Sequence, residues 1–307
     1  MASGREKKKQ HFVPNVYLSA WLDTDAPPEQ TYIWLFDKGG GAGRRKGPEK
    51  TFRETDMYTI PMPDGGRDLT IENGLQQLEQ GVGVLRREFL EVGRPLPPPR
   101  HVKLMAFLAA MEARTPAFRE HHRQHYNELI HIGEQMMAQV ADKTVEERKR
   151  LAAMSIPGDG PTMTMDQVRE LAERPIQHLM PRFLRIQVPV LAQMQTTVLR
   201  SRGRHFITSD APVSRFDPEA HLRPFMYQSP GLAWPTVEIV LPMSPRVALL
   251  VHHTKPITKG IKPVRYVDVD DAVVDELNRR THAFANEKIV NCKDEFLGVW
   301  AAEQPAI

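Results

Sequence analysis

The spacing of apolar residues changes along this chain, and the changes mark its elements. In TYIWLFD (31–37), Tyr32, Trp34 and Phe36 alternate with Ile33 and Leu35, the two-residue period of a strand. FRETDMYTIP (52–61) is a second strand candidate, expected to pair with the first as a hairpin across the glycine-rich loop 39–47. Ahead of both, Pro14 suits the first turn of a short helix that would bury Tyr17, Leu18 and Trp21.

From about residue 68 the period lengthens. Ile71, Leu75, Leu78, Val82 and Leu85 form one helical stripe, with Asp68 or Thr70 as its cap. The proline-rich tract 93–101 ends it, and a second helix is expected over 101–114. Thr115 and Pro116 read as N-cap and first-turn proline of a long polar helix, 116–150. A Gly/Pro-rich loop is expected at 155–164. Helices follow at 165–174 and 176–200, with Pro181 and Pro189 kinking or dividing the second.

Strand patterns then return at 205–209, 237–243 and 246–253, the last two forming a hairpin across Ser244 and Pro245. Asp270 or Asp271 caps a final long helix to about 286, and KIVN (288–291) closes the fold. This order predicts an α+β fold. Its mixed sheet would be built from N-terminal and C-terminal strands, with a large central helical region at about 68–200. Residues 11–300 would form a single domain behind a flexible basic tail, 1–10.

The formal charge of +3 on 307 residues permits nucleic-acid contact without demanding it. Arg5, Lys7, Lys8 and Lys9 are phosphate contacts or, more simply, a solvated end. One cysteine, Cys292, excludes an intramolecular disulfide framework and a cysteine-rich zinc site. No apolar run approaches a membrane span, and no signal-peptide pattern opens the chain. A cytoplasmic protein is expected.

Several motifs together resemble the bacterial domain-of-unknown-function family 4238. They are His11, Val13, Pro14, Tyr17 and Leu18; Arg114, Thr115 and Pro116, with Arg119 following; Thr208, Ser209, Asp210, Pro212 and Val213; Pro242, Met243, Ser244 and Pro245; and Leu277 and Asn278, with Ala285 downstream. Met243 stands where the family usually has leucine. The resemblance covers about residues 10–290. It implies an intracellular bacterial protein and assigns no catalytic residue.

The residues themselves offer candidates, each with a plainer alternative. His11 precedes a helix, as an acid, base or ligand, or as an N-terminal hydrogen bond. Glu72, Gln76 and Glu79 flank the apolar stripe. The two carboxylates, joined by Asp210 from its post-strand turn, would hold Mg²⁺ or Mn²⁺. Alternatively the glutamates are solvated and Asp210 binds its own turn. Arg114, with Arg119 one turn on, offers a fork to phosphate or a buried structural pair. Asn278 binds a ligand or ties its helix to the Ser-Asp turn. His121, His125 and Glu128 read as a solvated helix face.

No phosphate loop, Gly-x-Gly-x-x-Gly pattern or Gly-x-Ser-x-Gly elbow is present, so no nucleotide or organic cofactor is expected. The leading expectation is a metal-dependent phosphodiester hydrolase acting on nucleic acid. His11 and Asp210 would be catalytic, Glu72, Glu79 and Asp210 the metal ligands, and Arg114, Arg119 and Asn278 the substrate contacts. The alternative is a non-catalytic interaction or regulatory protein whose polar set is an internal brace. Its protein partner would dock on helix 116–150.

Overall fold

The structure, a computed structural model, describes residues 9–27, 29–154 and 163–301. The chain opens with β1 (Lys9–His11), then α1 (Asn15–Leu18) and a 3-10 turn to Trp21. Lys9 and Gln10, expected in the tail, belong to β1, and Gln10 is buried against Tyr58 and Thr59. The expectation for residues 1–8 lies outside the described residues, as does most of the expected loop at 155–164.

β2 (Ile33–Asp37) forms its hairpin with β3 (Arg44–Lys46), not with residues 52–61. Gly40 and Gly41, both at positive φ, turn the chain back before residue 44. The expected second strand is cut at Phe52 (φ 53°) and Asp56 (φ 56°), which leaves β4 (Arg53–Thr55) to pair with β1. The short β5 (Ile60–Pro61) pairs with β6 (Arg67–Asp68).

The expected stripe is split at Gly81 (φ 79°) into α2 (Thr70–Glu79) and α3 (Val82–Leu85). Leu75, Val82 and Leu85 are buried, and α3 runs into a π-helical turn, Arg86–Leu90. α4 (Pro98–Ala113) begins inside the proline tract, because a first-turn proline has no N–H to lose. Thr115 caps α5 (Pro116–Ala141) by accepting the Phe118 N–H at 3.2 Å. The long polar helix stops at Ala141 and restarts as α6 (Val145–Met154), where Glu147 accepts from the Thr144 N–H and hydroxyl.

α7 (Met165–Glu173) is closed at its start by a reciprocal Thr164–Gln167 capping box. α8 (Pro175–Gln193) carries Pro181 and Pro189 without dividing. Residues 195–200, expected to be helical, belong to β7 (Gln195–Ser201). The β-branched run Thr196, Thr197 and Val198 favours the extended state, and the strand is central, where pairing overrides a helical reading.

The rest comprises β8 (Thr208–Ser209), β9 (Ser214–Phe216), β10 (Glu238–Ser244), β11 (Val247–His252), β12 (Arg265–Val269), α9 (Asp271–Phe284), β13 (Lys288–Asn291) and α10 (Gly298–Ala301). The β10–β11 hairpin and the Asp270 cap of α9 are as expected; Asp270 accepts the Val273 N–H at 3.0 Å. The α+β class holds, but the strands divide between two main sheets. A five-stranded sheet runs β12-β7-β11-β10-β9, and a four-stranded sheet runs β3-β2-β13-β8. Only the latter joins both ends of the chain.

Alternation explains how the larger sheet is covered. Val198, Ile239, Leu241, Leu249 and Val251 face the core shared with α4 and α8. Leu199, Val240 and Ala248 point the other way, onto Val274 and Leu277 of α9. Both faces are dry, so these strands read as apolar runs. α4 is buried nearly all round, whereas α5 has no fully buried residue.

Candidate functional site

Arg114 ends α4 with 2% of the residue exposed. Its Nη1 meets Glu79 Oε1 at 2.6 Å, and its Nη2 donates to the His11 carbonyl at 2.6 Å. Its Nε reaches the Tyr58 hydroxyl at 3.4 Å, and that hydroxyl lies 3.1 Å from the carbonyls of both His11 and Arg114. Burial opposes the charge on Arg114; Tyr58 and Glu79 outweigh it and raise its pKa. One guanidinium therefore joins β1, α2 and the α4–α5 junction. The His11 ring donates from Nε2 to the Glu49 carbonyl at 3.1 Å. Burial holds its pKa below the ordinary value, against the opposing pull of that carbonyl.

Asp210 follows β8 and accepts three backbone N–H groups: Asn286 on Oδ1 at 2.8 Å, and Glu287 and Lys288 on Oδ2 at 2.7 and 3.1 Å. It fastens the end of α9 to the start of β13. Burial raises its pKa, and the three N–H groups work against that rise. Asn278 accepts the Ile207 N–H at 3.0 Å and donates to the His205 carbonyl at 2.9 Å. Both sides of its amide are used within the fold. Arg119 meets Glu54 at 2.6 Å and Glu120 at 3.0 Å.

Glu72, Glu79 and Asp210 are not brought together. Among the described residues, no group of three or more His, Cys, Asp or Glu side chains is placed to share a cation. Glu72 lies on α2 within 3.4 Å of the Gln76 amide, Glu79 is held by Arg114, and Asp210 is filled by backbone donors. As placed, this donor set does not fit Mg²⁺ or Mn²⁺, which takes several oxygen ligands at about 2.0–2.1 Å in near-octahedral geometry. No metal-assisted step follows from it.

Two tyrosines bear on the polar set in ways the sequence reading missed. Tyr58 was not singled out at all. Tyr17 is expected from the sequence as a buried residue and a member of the opening motif, with no role for its hydroxyl. Its hydroxyl donates to the Pro242 carbonyl at 2.6 Å and lies 2.8 Å from Thr208 Oγ1. Three of the motifs meet there. An aromatic side chain with a polar tip, in an otherwise apolar helix, was the available signal.

Beside the brace lies an open cavity of about 410 Å³ between the start of α5, the residues around Phe52 and the start of β13. Phe12, Phe52, Ala117, Asp210, Glu54, Glu287, Lys46, Lys50, Arg53 and Lys288 are among its lining residues. Phe52 holds a left-handed backbone, costly for an aromatic residue, and its carbonyl accepts the Phe12 N–H at 2.9 Å. The Phe12 and Phe52 rings pack 5.6 Å apart.

The carboxylates here are largely spent: Asp210 on backbone N–H groups and Glu54 on Arg119. Lys288 meets Asp37. The side chains of Lys46, Lys50 and Arg53 make no hydrogen bond or ion pair within the described residues. α5 presents its N-terminal end to the same space through Pro116 and Ala117, adding the positive end of a helix dipole.

No helix among the described residues is long and apolar enough to cross a membrane. Neither the curated proteins nor the solved structures gave a match to this chain. A family model described as "Protein of unknown function (DUF4238)" matches residues 9–295, nearly the whole chain. The motif resemblance and this match agree: the chain belongs to the DUF4238 family.

Proposed function

We propose that this is a non-catalytic binding protein. Its boundary polar residues brace the fold, and its basic cleft takes the phosphate backbone of a nucleic acid. The observation that carries this reading is the set Lys46, Lys50 and Arg53. These three cations share one cleft and make no ion pair among the described residues, and two of the bordering carboxylates, Asp210 and Glu54, are committed elsewhere. Phosphate contacts of this kind release counterions and give affinity without sequence preference.

The neighbouring strand extends the patch. β3 consists of Arg44, Arg45 and Lys46, all exposed. Arg45 sits over Tyr32 and Trp34, at 4.9 and 5.1 Å from the ring centroids. Charge on an edge strand also keeps sheets from pairing edge to edge. That explanation reaches β3 and Arg53 on β4 but not Lys50, which lies in the 3-10 turn between them.

Fluorescence anisotropy of a short single-stranded oligonucleotide tests the proposal. The wild-type protein binds it at low salt, and the variant Lys46→Gln/Lys50→Gln/Arg53→Gln binds about tenfold or more weakly. Equal affinity of the two proteins overturns the reading.

A further inference from the structure

A second cavity, of about 470 Å³, lies away from the basic cleft. It is bounded by the 3-10 turn after α1, the π-helical turn, the β10–β11 connection and the residues after β13. Its cations are Arg86, Arg246 and Lys293, and its lining holds one carboxylate, Glu91.

Arg86 is the unusual member. Its side chain is only 12% exposed, yet among the described residues its guanidinium makes no hydrogen bond and pairs only through Nε with Glu91, at 3.4 Å. A buried guanidinium is ordinarily paired at both edges, since the fork is built for two parallel contacts. Here Nε is the buried atom without a hydrogen bond, and the Nη groups have no partner among the described residues. The residue sits on a π-helical turn, an irregularity that recurs at functional sites.

Arg246 is exposed, and its guanidinium donates to the Gly203 carbonyl at 2.5 Å. Lys293 meets Asp25, whose side chain is largely exposed, and so stays at the rim. After burial, which is the larger influence, the charges of Arg246 and Lys293 also lower the pKa of His205 in the same cavity.

We infer that this cavity binds a small phosphomonoester, gripped by the free edge of Arg86 and by Arg246. Two guanidinium forks match a dianion with three terminal oxygens better than a single carboxylate. The apolar lining of Ala20, Leu22 and Pro245 would take a compact organic body.

Isothermal titration of the full chain tests this with inorganic phosphate, glucose 6-phosphate, acetate and glucose as probes. Phosphate and glucose 6-phosphate are expected to bind at one site, with acetate clearly weaker and glucose silent. Arg246→Gln, at an exposed position, and Arg86→Lys, which keeps the charge but not the fork, each weaken binding about tenfold or more. Lys50→Gln/Arg53→Gln, in the other cleft, leaves the affinity unchanged. The inference is overturned by no phosphate binding, by acetate binding as well as phosphate, by insensitivity to both arginine variants, or by loss of binding in the Lys50/Arg53 variant.

Discussion

Arg114 donates to the His11 carbonyl across 103 residues of chain, at 2.6 Å, while its other Nη holds Glu79. The guanidinium that the sequence offered as a phosphate fork thus clasps the backbone at His11. Removing the guanidinium takes one donor from the His11 carbonyl, which keeps the Tyr58 hydroxyl at 3.1 Å, and strands a partly buried carboxylate. Arg114→Ala is expected to cost about 3 kcal/mol, the lower end for a broken buried pair because Glu79 keeps some contact with water. Urea denaturation checks this: the midpoint falls markedly, and Arg114→Lys recovers only part. An unchanged midpoint for Arg114→Ala would remove the clasp from the account.

Asp210 tests brace against metal site directly. Asp210→Ala orphans three N–H groups, each costing about 1–3 kcal/mol where water cannot replace the acceptor. The expected outcome is a lower thermal midpoint, with calorimetric Mn²⁺ titrations of wild type and variant indistinguishable. Mn²⁺ binding by wild type that vanishes in a folded Asp210→Ala protein would restore the hydrolase reading.

His101 should make stability depend on pH. It is buried in α4 with Nε2 2.8 Å from Thr196 Oγ1 and Nδ1 unpartnered, and burial holds its pKa below the ordinary 6.5. The unfolded chain then takes up the proton first. Stability contributed by the neutral ring is present above 6.5 and is lost as pH falls from there toward the lower folded value. Denaturant midpoints measured between pH 7.5 and 5, roughly the range in which imidazoles titrate, should fall on acidification. His101→Gln should flatten part of that fall, while a slope identical to wild type would place the effect elsewhere.

Much of the fold was legible because periodicity is local. The alternation of β2, the β10–β11 hairpin and the Asp270 cap follow from neighbouring residues alone. β7 was not legible: its central place depends on β11 and β12, which lie more than 40 residues away in sequence. The hairpin partner of β2 was misassigned because Phe52 and Asp56 adopt positive φ, which neither residue type announces. The candidate residues were found as a set, but their roles turned on contacts. Whether Asp210 faces a cation or three N–H groups is decided by the chain near residue 287. The basic cleft was hidden because, although its three cations fall within residues 46–53, its other walls come from residues 116–117, 210 and 286–288, and Phe52 between the cations holds a strained backbone.

Asn278 supplies an independent test of the tie between α9 and the segment before β8. Asn278→Ala removes an acceptor from Ile207 and a donor from His205. A loss of about 1–3 kcal/mol is expected in urea denaturation, with oligonucleotide affinity unchanged. A selective loss of affinity at wild-type stability would make this amide a ligand contact.

The salt dependence of oligonucleotide binding tests the central claim most directly. For single strands, each phosphate contact contributes about 0.7 to the slope of log K against log salt concentration. If Lys46, Lys50 and Arg53 each neutralise one phosphate, the triple glutamine variant should lower the magnitude of that slope by about 2 relative to wild type. An unchanged slope, or wild-type binding that ignores salt, would contradict the assignment of this cleft to a nucleic-acid backbone.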